Sequence, residues 1–159
     1  MNAVERFTFG RPISVSEQTL PQVAARPATA LVGRVFLAAI FLVSGVSKFT
    51  DMGSSIAYAE SAGLPWAEGL VPLAAVVEVL GGLSILFGAV TRIGALALAG
   101  FLVISAFYFH DYWNLVGAER QAQMAHFLKN MAIFGGMLLL IAEGAGRYSV
   151  DRMLRKRMT

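Results

Sequence analysis

The chain has 159 residues, of which 57% are hydrophobic and 14% charged. Water-soluble domains carry roughly 25% charged residues, so the deficit excludes an ordinary solvated surface and points to one that meets lipid. The net charge is +3 and there is no cysteine, which rules out dithiol–disulfide chemistry, iron–sulfur clusters and thioether-bound haem, all of which need thiols.

Residues 1–29 are mixed polar and contain Pro12, Pro21 and Pro27. They hold no apolar stretch of the kind a signal peptide needs. The expectation is a cytoplasmic arm, partly disordered, leading into an uncleaved anchor. The transmembrane domain is expected over 30–142. A bilayer core of about 30 Å is crossed by about 20 apolar helical residues, and four stretches qualify: 30–49, 69–90, 92–113 and 124–142. Stretches such as IGALALAGFLVISAFYF have no polar face, which a soluble bundle would keep. The fold class is therefore all-α, an integral membrane bundle of four transmembrane helices. The turn at Thr91–Arg92 is so short that the second and third spans form a tight hairpin.

Between the first two spans, SSIAYAESAG predicts two or three turns of helix lying on the membrane. Gly63 would end them, and Pro65 and Trp66 lead into the second span. Small residues supply close-approach notches on every helix: Ser44–Gly45, Gly81–Gly82, Ser84 with Gly88, Ala95 with Ala99, and Ala132 with Gly136.

Basic residues set the orientation. Arg6, Arg11, Arg26, Arg34, Arg92, Arg147, Arg152, Arg155, Lys156 and Arg157, ten in all, fall on the side of the termini; Lys48, Arg120 and Lys129 fall on the other. Ten against three places both termini in the cytoplasm. Residues 143–159 become a basic cytoplasmic tail suited to anionic headgroups, and the positive balance needs no nucleic-acid partner.

Polar groups at membrane depth need a partner or a purpose. At about 1.5 Å of rise per residue, Glu78 lies within about 3 Å of the middle of its span, and Lys129 with Asn130 about 5 Å outward. His126, Lys129 and Asn130 are spaced i, i+3, i+4 and share one helix face. Lys48 and His110 end the first and third spans on the same side. Each has an ordinary explanation alone: Lys48 as an interfacial snorkel, His110 as a helix end. Glu78 does not, because an unpaired carboxylate there costs several kcal/mol. By depth its nearest cation is Lys129, so a Glu78–Lys129 pair is expected. Glu78 is the candidate proton-handling group, and Glu78, Lys129, Asn130, His126, His110 and Lys48 are the candidate ligand-binding set. His110 and His126 are also the residues that could take a metal or haem, though two imidazoles without a thiol make a poor centre.

The order and spacing of GRVFLAAIFLVSGVSKF, GLP, EVLGGLSILFGAVTRIGAL, FYFHDYW, HFLKNMAIFGG and GAGRYSVD resemble the DoxX family over about residues 31–151. The family's recurring polar positions map onto Arg34, Lys48, Glu78, Arg92, His110, Lys129 and Asn130. The resemblance implies a bacterial inner-membrane protein whose relatives accompany quinone-linked oxidases, sulfur-oxidising systems or membrane oxidoreductase assemblies. It brings no established catalytic residue. Three functions stay open. The first is an accessory, quinone-interacting redox component with a membrane or periplasmic redox partner. The others are a binding or transport module for a lipid-like or small apolar molecule, and a scaffold subunit, as homo-oligomer or otherwise.

Overall fold

The computed structural model describes residues 22–158. The part of the N-terminal arm before residue 22 lies outside the described residues. Helix α1 runs Gln22–Thr50, α2 Met52–Ser61, α3 Ala67–Phe87, α4 Thr91–Phe109, α5 Gly117–Glu143 and α6 Val150–Arg157, with a 3-10 turn at Tyr112–Asn114 between α4 and α5. Four helices among the described residues are long and apolar enough to cross a membrane: Pro27–Thr50, Ala67–Phe87, Thr91–Asn114 and Gly117–Glu143. Phe36, Val43, Leu80, Ile93 and Leu139 point outward, each more than half exposed, as a lipid-facing surface requires.

Two boundaries differ from expectation. Helix α1 starts at Gln22 and runs through Pro27, since a proline removes only one hydrogen bond near a helix start. Helix α5 starts at Gly117, about two turns before the apolar run begins. Its first turns carry Glu119, Arg120, Gln121 and Gln123, which suit a helix projecting into the interface and form helix without being apolar.

Helix α1 packs on α3, α3 on α4, and α4 on α5. The small residues explain how closely. A Cβ on Gly45 would stand 2.8 Å from Val79 Cγ2 and 3.1 Å from the Ala75 carbonyl oxygen. One on Gly81 would meet Leu98 at 2.6 Å, and one on Gly82 would meet Leu42 at 2.9 Å. In lipid, helices associate through such close packing because there is no hydrophobic drive between them. The central cluster is Ala38, Phe41, Ile85, Ala95, Leu98, Leu102 and Met137, with Phe41 and Phe101 edge to face.

The end of the bundle bearing α6, here the tail end, is fastened by three polar side chains. Arg34 of α1 is 1% exposed; its guanidinium donates to the Ala145 carbonyl at 2.9 Å and the Tyr148 carbonyl at 2.6 Å. Arg92 donates to the Ala142 carbonyl at the end of α5. Asp151 accepts from the Val90 N–H at 2.7 Å, the Thr91 N–H at 3.1 Å and the Thr91 hydroxyl at 2.8 Å. Its own N–H donates to Gly88 O at 2.9 Å. A residue sixty positions away thus caps α4, where Val90 sits at φ 51° and no local side chain caps the helix. Gly88 is held at φ +67°, and any side chain there would run into Arg34, Ser149 and Ala145.

The opposite end, here the loop end, is built differently. Asp51 caps α2 through the Ser54 N–H, and Gly63 at φ +76° turns the chain. Ala59, Ala67 and Val71 then pack α2 onto the start of α3. Tyr58 of α2 stacks on Phe109, the last residue of α4, with ring centroids 5.3 Å apart. Helix α2 therefore lies as a roof across the loop end of the bundle.

Burial alone would raise the Asp151 carboxyl, but the bonds from Thr91 and Val90 and the nearby Arg155 cation outweigh it and hold the group below the usual carboxylate range. An unfolded aspartate titrates near 3.9, so this stabilisation is complete above about pH 4 and is lost as pH falls through the lower folded value. Asp151→Asn should lower stability near neutral pH by about 0.3–2 kcal/mol, the range for a charge at a helix N-terminus. Melting curves in detergent should converge with wild type toward about pH 2; a gap independent of pH would contradict the cap.

Candidate functional site

Glu78 faces inward from the middle of α3 and its side chain is 1% exposed. An uncompensated carboxylate in an apolar bundle is strongly disfavoured. The cation beside it is Lys48 of α1, whose Nζ lies 2.7 Å from Glu78 Oε2. The expected Glu78–Lys129 pair is not formed. Depth placed Lys129 nearest, but α5 holds it at an exposed part of the cavity rim, its Nζ 3.4 Å from His126 Nδ1 and not paired with Glu78. Lys48 reaches Glu78 because Gly45, three residues earlier on the same face, lets α1 approach to where a Cβ would stand 3.0 Å from Glu78 Cβ.

The ammonium is positioned from three sides. It donates to Ser44 Oγ at 2.8 Å, one turn back on α1. It lies 5.8 Å from the centroid of the Phe101 ring, within cation–π range, and it meets the Glu78 carboxylate. Glu78 Oε2 has no hydrogen-bond partner of good geometry among the described residues. The contact with Lys48 is thus a close charge pair rather than a well-directed hydrogen bond.

The pair forms part of the wall of a cavity of about 740 Å³. Lys48, Glu78, His110, Lys129 and Asn130 all line it, so five of the six sequence-predicted residues come together. Asn130 is 7% exposed. Ser55, Tyr58, Ala59 and Leu64 of the α2 segment roof the loop end, while Val77, Phe101, Leu102 and Ile133 supply much of the apolar lining. His126 is the sixth residue and does not line the cavity. Its ring stacks on His110 at 5.2 Å and 24°, and His110 Nδ1 lies 2.8 Å from Gln123 Oε1. Each Nδ1 is thus turned to a side-chain neighbour, and no group of three His, Asp or Glu residues converges among the described residues.

Sequence reasoning missed Ser44 as a partner of Lys48, Gln123 as a partner of His110, and Phe101 as the ring beneath the ammonium. Ser44 and Lys48 are spaced i, i+4, a signal that was available. Phe101 carried none, because one aromatic in an apolar span resembles any other.

Lys48→Met and Glu78→Gln should each lower thermal stability in detergent, and the double variant should lose less than the sum, with a coupling of about 0.5–3 kcal/mol. Lys129→Met combined with Glu78→Gln should be additive. Coupling to Lys129 and none to Lys48 would contradict the pairing.

Comparison with known proteins places the chain. The family model described as DoxX matches residues 29–111. Inner membrane protein YqjF of Escherichia coli is 40% identical over 127 residues, covering 80% of this chain and 92% of the relative. Inner membrane protein YphA of the same organism is 31% identical over 152 residues, covering 96% of this chain and 99% of the relative. An uncharacterised membrane protein of Mycobacterium tuberculosis, Rv3486, is 30% identical over 144 residues, covering 86% of this chain and 87% of the relative. No solved structure matches the chain significantly. With four apolar spans, a matching family model and relatives aligned along nearly their whole length, this chain is a multi-pass inner-membrane protein belonging to the DoxX family.

Proposed function

We propose that the protein binds a quinone-class amphiphile in the cavity beside Glu78 and serves as an accessory component of a membrane oxidoreductase system. One observation supports this above others: a Lys48–Glu78 pair with its carboxylate buried, in the wall of an otherwise mostly apolar cavity of about 740 Å³. That volume falls within the roughly 300–1,000 Å³ of small-molecule sites, which combine apolar walls with a few convergent polar groups.

The polar groups suit a head that bears carbonyl or hydroxyl oxygens. Lys48 and Asn130 would donate to them, Lys129 would add positive charge, and Glu78, whose carboxylate is buried beside Lys48, would take or give a proton. His110, at the loop end of the cavity and stacked on His126, is placed to pass protons onward, since an imidazole can give a proton from one ring nitrogen and take one on the other. A bound quinone would supply coupled electron and proton transfer, with electrons exchanged through a partner protein. By the charge asymmetry of ten basic residues against three, the cavity would lie in the periplasmic half.

A second reading, a binding module for a lipid-like molecule, uses the same groups to hold a headgroup and is favoured by the apolar lining. Gentle purification from native membranes, followed by mass spectrometry of co-purifying small molecules, separates the two. A quinone that accompanies the wild type and is lost in a folded Glu78→Gln variant is the expected result. A phospholipid retained by both proteins, or no ligand, would overturn the redox assignment.

A further inference from the structure

The cavity has a roof but an incomplete side wall. At the loop end, α2 covers it through Ser55, Tyr58 and Ala59. Toward α5 the wall carries Lys129 and Asn130. Between α3 and α4 it differs. The two helices touch closely toward the tail end, where Gly81 meets Leu98 and Gly94 meets Ser84. Beginning beside that contact and continuing toward the loop end, side chains of both helices line the cavity while remaining exposed on the outer surface. Leu73 on α3 is 57% exposed, and on α4 Leu96 is 63% and Ile104 56% exposed. Ala97 and Gly100 are lining and exposed as well. A Cβ on Gly100 would meet nothing within 4 Å. A residue that belongs at once to the cavity wall and to the lipid-facing surface marks a breach between them.

We infer that the space between α3 and α4 is a lateral portal, through which a hydrocarbon chain carried by a membrane-dissolved amphiphile enters from the bilayer while its polar head settles at Lys48 and Glu78. The inference rests on the ligand-binding reading above and adds the route and the chain-bearing class. Chemistry favours such an occupant at both ends. The exposed lining residues of α3 and α4 are apolar or glycine, as a chain leaving through hydrocarbon requires, whereas those on α1 and α5 include Ser47 and Lys129. The cation and carboxylate lie deeper, where only a polar head would be matched. The roof over the loop end makes a sideways approach the shorter one for a molecule that dissolves in the bilayer rather than in water.

Gly100 offers the test, because a large side chain there would grow into open space rather than into a neighbour. The probe is a benzoquinone bearing a decyl chain tipped with a diazirine, added to the protein in lipid nanodiscs, photolysed, and mapped by mass spectrometry. Wild type should be labelled on the cavity-lining turns of α3 and α4. Gly100→Trp, and independently Ala97→Phe, should lower that labelling at least tenfold with melting temperatures retained. Phe36→Trp, on the lipid-facing side of α1 where Phe36 is 75% exposed, should leave it unchanged. Labelling that persists in Gly100→Trp and Ala97→Phe but is lost in Glu78→Gln would overturn the portal and keep the cavity. Wild-type labelling confined to the outer lipid-facing surfaces, unaffected by any of these variants, would overturn both. A diazirine-bearing phosphatidylglycerol that labels the cavity where the quinone does not, and is blocked by Gly100→Trp, would keep the portal and reassign the ligand to a lipid.

Discussion

A carboxylate in the middle of an apolar helix is the constraint around which this bundle is arranged. Glu78 is buried to 1% exposure in a span whose neighbours are Val77, Val79, Leu80 and Gly81. In lipid it needs a counter-charge held at bonding distance. Lys48 meets that need only because Gly45 removes the Cβ that would hold α1 away from α3. The pair therefore fixes the register of those two helices as well as the charge. It also places a charge pair in the wall of the cavity, among otherwise mostly apolar lining. Burying an ion pair does not by itself add stability over well-packed apolar residues.

The two ends of the bundle are fastened by different means. At the tail end Arg34, Arg92 and Asp151 bind main-chain groups of segments distant in sequence. Charge-assisted bonds of this kind contribute about 1.5–3 kcal/mol each when well formed, and they draw α1, α4 and the end of α5 together. At the loop end the ties are aromatic stacks and the α2 roof, with Phe109 at the end of α4 packed against the cluster of Ala59, Ala67 and Val71. The polar lining lies toward that end, and the breach between α3 and α4 extends there from beside the Gly81–Leu98 contact.

Much of this was legible in the sequence, for physical reasons that can be named. Four apolar runs of spanning length admit few alternatives, because lipid tolerates no unsatisfied backbone. The helix in the first loop is legible in SSIAYAESAG and the Gly63 that ends it, whereas its cap, Asp51, appears only in the structure. The grouping of five cavity residues at one level followed from depth alone. Depth does not tell which way a helix is rotated, however, and that is why Lys129 was matched to Glu78 while Lys48 was read as an interfacial snorkel. The tail-end clasp was hidden for a related reason: Asp151 looks like one acid in a basic tail until the α3–α4 turn is seen to present two N–H groups to it. Helix α5 begins early because polar residues form helix as readily as apolar ones, and hydropathy marks only the part that meets lipid.

The pairing of Lys48 with Glu78 is most directly tested by a distance. Solid-state NMR on the protein in lipid bilayers, with ¹⁵N in the lysine ammonium groups and ¹³C in the glutamate carboxyl groups, reports dipolar contacts between them. Assignment comes from the spectra of Lys48→Met and Glu78→Gln. The structure predicts a strong Lys48–Glu78 contact, in keeping with the 2.7 Å separation, and none between Lys129 and Glu78. A contact from Lys129, or a Glu78 carboxyl without any lysine partner, would contradict it.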